Sequence, residues 1–377
     1  MDPLVARAYE LLAGQLGVVR SMLPPETRVI DAHTHLGLDD DGHALTPQEH
    51  LASMDASGVS GAFVFALNEP DRVPAYRAPN DRVLAWAADS PDRFWPFVRL
   101  SLDDEPLAEA TRCLDRGARG IKLHPRAQAF RVNDSRLEAV FALAAERRIP
   151  VLIHAGRGLP PGMALELAHV AERHPDATLI LAHLAIAEQG QIGRAACGQP
   201  NVYFDTSAWT PPDQAQLLSL VAPEQILWAS DIPYGTQLSA QQLFLRALQA
   251  TDAPADLVRG MMGETALGLI DGKRPATFSK PIGASRMELS YSQARVLTYL
   301  ASATPLLWMG GIDAVGFLGL AESACRDDPD RLGETGEIIR CCEALWEHLA
   351  IDGRITPADL DPIWRLLNAA QAMAVFA

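Results

Sequence analysis

The sequence predicts a (β/α)8 barrel of the TIM type followed by an all-helical C-terminal extension, and three observations carry that reading. Short apolar runs with strand character alternate eight times with helical segments over roughly 240 residues, the usual length of such a barrel. Histidines and an aspartate collect at the C-terminal ends of those runs, where barrel active sites lie. No Gly-x-Gly-x-x-Gly turn follows the first run, so the dinucleotide-binding form of the competing doubly wound sheet has no support.

The elements follow in order. Met1 to Pro24 carries Asp2, Arg7 and Glu10 within an apolar pattern and reads as an amphipathic helix, not a secretory signal. Val29 to Gly37 is the first strand, and its alternation places Asp31, His33 and His35 on one face. Thr46-Pro47-Gln48-Glu49 gives an N-cap, a proline at the first helical position and a capping-box glutamate, opening a helix that ends near Gly58. The remaining strands are expected at Gly61–Leu67, Phe94–Leu100, Gly120–Pro125, Val151–His154, Thr178–His183, Val202–Thr206 and Ile226–Ser230. Between and after them, helices are expected at Asp81–Ala88, Pro106–Arg116, Ser135–Arg147, Met163–Arg173, Ile186–Ala196, Asp213–Leu220 and Ala240–Leu248. The chain then divides into an N-terminal helix (1–27), the barrel (28–270), a linker (271–289) rich in Lys-Arg-Pro, Ser-Lys-Pro and Gly, and a helical extension (290–377).

Composition narrows the function classes. A chain of 377 residues with 48% hydrophobic and 21% charged residues is an ordinary globular protein. A formal charge of −15 and the lack of a Lys/Arg cluster exclude nucleic acid as a natural partner. Five cysteines, an odd number without Cys-x-x-Cys spacing, argue against a disulfide framework and for a reducing, cytoplasmic setting. Thr304 to Leu320 is apolar but interrupted by Asp313 and a Gly-Gly, too short for a membrane span, so no membrane partner is expected.

The candidate site residues fall at strand ends. His33 and His35 end strand one, Lys122 and His124 strand four, His154 strand five and His183 strand six, with Asp231 just past strand eight. Two imidazoles one residue apart on a strand can share a metal, although such pairs are also often satisfied core or surface histidines. Five of the ten histidines at strand ends, together with an aspartate, favour the metal. His154 and His183 close runs that are otherwise apolar, so their burial demands partners. Lys122 is the only lysine before Lys273 in a chain that otherwise uses arginine, which suggests a site for a compact amine or a modified lysine, or else chance. Arg99, Arg126, Arg157, Trp209 and Tyr234 lie on loops that would line the mouth, where an arginine could grip a carboxylate.

Taken together, His33-x-His35, Gly-Ile-Lys122-Leu-His124-Pro, His154, His183, Tyr-Phe-Asp-Thr-Ser and Leu-Trp-Ala-Ser-Asp231-Ile-Pro-Tyr-Gly resemble the amidohydrolase superfamily. The last two motifs are most similar to the branch that includes aminocarboxymuconate-semialdehyde decarboxylase, related decarboxylases and lactonases. The pattern departs at Met262-Gly263-Glu264, where relatives commonly carry an asparagine. The resemblance implies one divalent metal, zinc first, on His33, His35, His154 and Asp231, with Asp231 or His183 moving the proton of an activated water. It implies a supporting or substrate-binding role for Lys122, which in two-metal members is carbamylated. Metal-assisted hydrolysis of an amide, ester or lactone of a small molecule is the expected activity, decarboxylation the runner-up. A barrel that has lost turnover and serves as a binding partner is the reading from another class. The extension, with Leu306, Leu307, Trp308, Trp346 and Trp364 and no ligand cluster, is expected to cover the barrel or to join copies of the chain in a homo-oligomer.

Overall fold

The computed structural model describes residues 2–156, 158–159, 162–196, 198–207, 210–283, 288–308, 314–350 and 357–376. Arg157 and Trp209, both expected at the mouth, lie outside the described residues, as do Cys197, Asp313 and Thr356. The expected barrel is there. Eight strands, Ile30–Leu38, Gly61–Ala66, Phe94–Arg99, Gly120–Leu123, Pro150–Ile153, Thr178–Leu181, Val202–Asp205 and Ile226–Leu227, pair in parallel in sequence order. A two-residue strand, Ala44–Leu45, adds an antiparallel partner to the end of the first. The sheet closes on itself where Asp231 N donates to His33 O (2.9 Å), His35 N to Ile232 O (2.9 Å) and Ala32 N to Trp228 O (3.1 Å).

Side-chain alternation sorts the strand residues into two cores. Ile30, Ala32, Phe63, Phe65, Phe97, Leu152, Ile180, Tyr203 and Leu227 fill the barrel interior, while Ala62, Val64, Val98, Ile121, Val151 and Leu179 face the surrounding helices. Helix Thr265–Ile270 adds Ala266, Leu269 and Ile270 to the interior. Just before it, Gly263 sits so close to the start of the first strand that a Cβ there would lie 2.0 Å from Arg28 O. The glycine in the segment that departs from its relatives is therefore fixed by that approach.

Local chemistry accounts for the agreement and for the differences. The capping box forms as expected, Glu49 N donating to Thr46 Oγ1 (3.2 Å) and Thr46 N to Glu49 Oε2 (2.9 Å), and Gly58 ends helix Pro47–Ser57 at φ 72°. Six of the strands are shorter than expected, and three of them end two residues or more before their expected bounds. The eighth stops at Leu227 because side chains take over its ladder: Ala229 N donates to Thr206 Oγ1 (3.1 Å) and Ser230 N to Asp31 Oδ1 (2.9 Å). The fourth stops at Leu123 because His124 caps a turn of helix, its Nδ1 accepting from Ala127 N (3.1 Å). The sixth stops at Leu181, and His183 begins a 3-10 turn in which His183, Leu184 and Ala185 all have positive φ.

The first strand corrects one expectation. A register shift between Asp31 and Thr34 resets the alternation. Asp31 therefore does not share a face with His33 and His35: it engages Ser230 Oγ (2.6 Å) and Gln237 Nε2 (3.0 Å), while the histidines turn inward against Phe65.

The extension contains helices Tyr291–Trp308, Ala314–Cys325, Pro329–Ala350 and Pro357–Val375 among the described residues. Their apolar faces meet in a second core that includes Leu300, Leu318, Leu332, Trp346, Ile363 and Leu367. Helix Pro3–Met22 supplies Val5, Ala8 and Leu12 to the same core, so the two ends of the chain build one layer. That layer rests on barrel helix Gln237–Ala250 through Pro3–Met22 and Pro357–Val375. Among the described residues no helix is long and apolar enough to cross a membrane.

Candidate metal centre

The closed barrel gathers His33, His35, Lys122, His154, His183 and Asp231 at its C-terminal mouth. All six are buried. His33 is the hub: its Nδ1 donates to Asp205 Oδ2 (2.8 Å), which leaves Nε2 as the lone-pair nitrogen, 3.2 Å from both Lys122 Nζ and Asp231 Oδ1. His35 Nε2 lies 3.1 Å from the same Asp231 oxygen, whereas its buried Nδ1 has no partner among the described residues.

His183 is held from three sides. Its backbone N–H donates to Asp205 Oδ1 (2.9 Å), its Nδ1 faces Ser207 O (2.9 Å), and its Nε2 lies 3.1 Å from His154 Nδ1. These bonds hold a left-handed backbone, φ 57°, that a histidine adopts at a cost of about 1 to 3 kcal/mol. Asp231 is likewise left-handed at φ 61°. His33, His183 and Asp231 each offer a ligand atom within 4.8 Å of the others. His154 turns to His183 and stacks on His124, ring centroids 4.1 Å apart. Tyr234 packs edge-on to His35 and donates to Asp39 Oδ2 (2.7 Å).

Burial sets the charges. It drives His33 and His35 well below the ordinary imidazole range, with neighbouring cations adding to the effect, so both are neutral near pH 7. Burial also lowers His124, and it raises the Asp231 carboxyl well above the carboxylate range, opposed by Lys122. Lys122 itself is pushed down to about 7 by burial, against the pull of Asp205 and Asp231. The protein alone leaves this basin short of positive charge next to Asp231. A divalent cation fits that donor set: the Nε2 atoms of His33 and His35, which converge on Asp231, and the Asp231 carboxylate.

Reasoning from strand ends passed over Asp205 and Ser207. Asp205 closes the apolar run Val202-Tyr-Phe-Asp and accepts from His33, His183 and Ser207 N (3.1 Å), so it holds two histidines at once. The signal was the one used for the histidines, a polar residue ending an apolar strand.

Comparison with known proteins agrees with the barrel fold. The Amidohydrolase family model (Amidohydro_2) matches residues 30–271. The chain belongs to the Amidohydrolase family. The family match spans the barrel and ends before the helical extension. Among solved structures, 2,6-dihydroxybenzoate decarboxylase from Rhizobium is 17% identical with a TM-score of 0.53, covering 65% of this chain and 99% of its own. 5-Carboxyvanillate decarboxylase from Sphingomonas paucimobilis is also 17% identical, TM-score 0.50, over 65% and 99%. 4-Oxalomesaconate hydratase from Rhodopseudomonas palustris is 15% identical, TM-score 0.51, over 65% and 96%. At these identities the likeness is one of fold. No curated sequence matches the chain.

Proposed function

We propose that this amidohydrolase is a metal-dependent hydrolase of a small-molecule amide, ester or lactone. The observation that carries the reading is the convergence of His33 and His35 Nε2 on one oxygen of Asp231, 3.2 and 3.1 Å away. His33, His35, His154 and Asp231 would hold one divalent ion, zinc first. When bound there, such an ion would supply a water of lowered pKa and Lewis-acid polarisation of a carbonyl. Asp205 keeps the His33 lone pair aimed inward. His183, fixed by Asp205 and Ser207, exchanges protons with the reacting group together with Asp231. Lys122, His124 and Tyr234 flank the substrate; Arg157 and Trp209, outside the described residues, are proposed beside them from their place in the sequence alone. Residues 1–27 and 290–377 form a structural layer, which could also join copies of the chain, and residues 28–270 form the catalytic unit. Four buried free cysteines suit a reducing, cytoplasmic setting.

Non-oxidative decarboxylation is the second reading, and Lys122 favours it: pushed to about 7, its amine can supply a proton beside His33 when a carbon–carboxylate bond breaks. Two of the fold neighbours are decarboxylases by name. His183→Asn separates the roles. As acid/base, its loss lowers turnover on the order of 10²-fold or more while metal content stays near that of the parent. Loss of metal in step with activity makes His183 a ligand, as its place beside His33 and Asp231 allows. Assaying released acid and released carbon dioxide in parallel decides between hydrolysis and decarboxylation, and neither product from metal-loaded protein contradicts the enzyme reading.

A further inference from the structure

Arg99 is a buried charge that the metal centre leaves unexplained. Phe97 points into the barrel and Val98 out toward the helices, so Arg99, the last residue of the third strand, points back in at the mouth. It is 2% exposed. Its Nη1 donates to Ala66 O (3.1 Å) and its guanidinium carbon lies 4.8 Å above the Tyr76 ring. Nε and Nη2 have no hydrogen-bond partner among the described residues.

Those two nitrogens form one edge of the guanidinium fork, a pair of parallel N–H donors spaced for the two oxygens of a carboxylate. The acids whose charge reaches Arg99 are committed elsewhere. Asp39 Oδ2 accepts from Tyr234 and from Asn68 N (3.2 Å), and Glu69 pairs with Arg82 through Oε2, while its Oε1 makes no hydrogen bond to Arg99. On the other side, Arg99 stands level with Lys122 on the neighbouring strand, and Lys122 Nζ lies 3.2 Å from His33 Nε2, so Arg99 shares the mouth with the metal centre. A buried lysine there could neutralise, as Lys122 begins to do, but an arginine stays charged. A permanent buried cation with a bare two-donor edge needs an anion.

We infer that the Nε–Nη2 edge of Arg99 receives a carboxylate of the small molecule this site acts on, holding that molecule against the His33, His35 and Asp231 cluster. The inference rests on the hydrolase reading only in calling that molecule a substrate; the anion site stands on Arg99 alone.

Calorimetric titration tests it, with benzoate, its uncharged isostere benzamide and inorganic phosphate as probes, on the protein as purified and after chelator treatment. The chelated protein removes any contribution from a bound ion. Benzoate is expected to bind at least about 10-fold more tightly than benzamide, the scale of a charge-assisted pair. Arg99→Gln should abolish that preference, and Arg99→Lys should retain part of it, with melting temperature reporting folding. If Arg99→Gln does not fold, the benzoate to benzamide ratio in the parent still decides. Equal affinities, a folded Arg99→Gln that binds benzoate undiminished, or tighter binding of phosphate than benzoate would overturn the inference. The two readings fail separately. Protein that retains no metal but loses benzoate binding on Arg99→Gln keeps the anion site and sinks the metalloenzyme; retained metal with no Arg99 dependence does the reverse.

Discussion

The barrel mouth and the helical layer both bury polar groups, and they treat them in opposite ways. In the layer, polar groups pair across helices: Gln293 Nε2 donates to Ala374 O (2.9 Å), Arg340 meets Glu322 (2.7 Å), and Arg365 Nε donates to Gln15 Oε1 (2.7 Å), tying the last helix to the first. At the mouth, His35 Nδ1 and the Arg99 Nε and Nη2 are buried with no partner among the described residues, and Asp231 lies among neutral imidazoles. An unsatisfied buried donor costs about 1 to 3 kcal/mol. Two adjacent bare donors on one buried guanidinium, on the strand beside Lys122, mark the mouth as a place where a ligand would complete the structure.

Substitutions can break that contrast. The largest effect on stability is expected from Trp346→Ala, which empties a side chain that is 2% exposed in the second core. It should cost about 3 to 5 kcal/mol. Thermal unfolding should show the loss while the folded fraction keeps its metal. A fall in metal affinity there would mean that the layer tunes the site directly. Asp205→Asn is expected to do the opposite. An amide nitrogen facing His33 Nδ1 would move the ring proton to Nε2 and blunt the inward lone pair. Metal affinity should fall about 10- to 100-fold with little change in melting temperature. Chelator competition measures it, and an unchanged affinity would remove Asp205 from its orienting role.

The parts of this design that follow local rules were legible in the sequence. The Thr46 capping box, Pro47 and the left-handed Gly58 fix one barrel helix from four residue types, and helix Met163–Arg173 matches its expected bounds. The apolar strand runs gave the barrel because each must be covered on both sides. What escaped depends on contacts distant in sequence. The register shift that turns Asp31 away is set by pairing with Gly61–Ala66 and by Ser230, about 200 residues on. The left-handed turn at His183 has no glycine to announce it, because Asp205 and Ser207 hold it from another strand. The joining of Pro3–Met22 to the C-terminal helices is likewise tertiary: its apolar stripe showed that it packs, but not against what.

The proposed centre depends on an ion held by the paired histidines. Elemental analysis of the purified protein beside His33→Ala/His35→Ala, both verified as folded, measures this directly. The parent is expected to carry about one equivalent of zinc or a similar divalent ion, and the double variant close to none. A folded double variant that retains the full complement of metal would contradict the site proposed here.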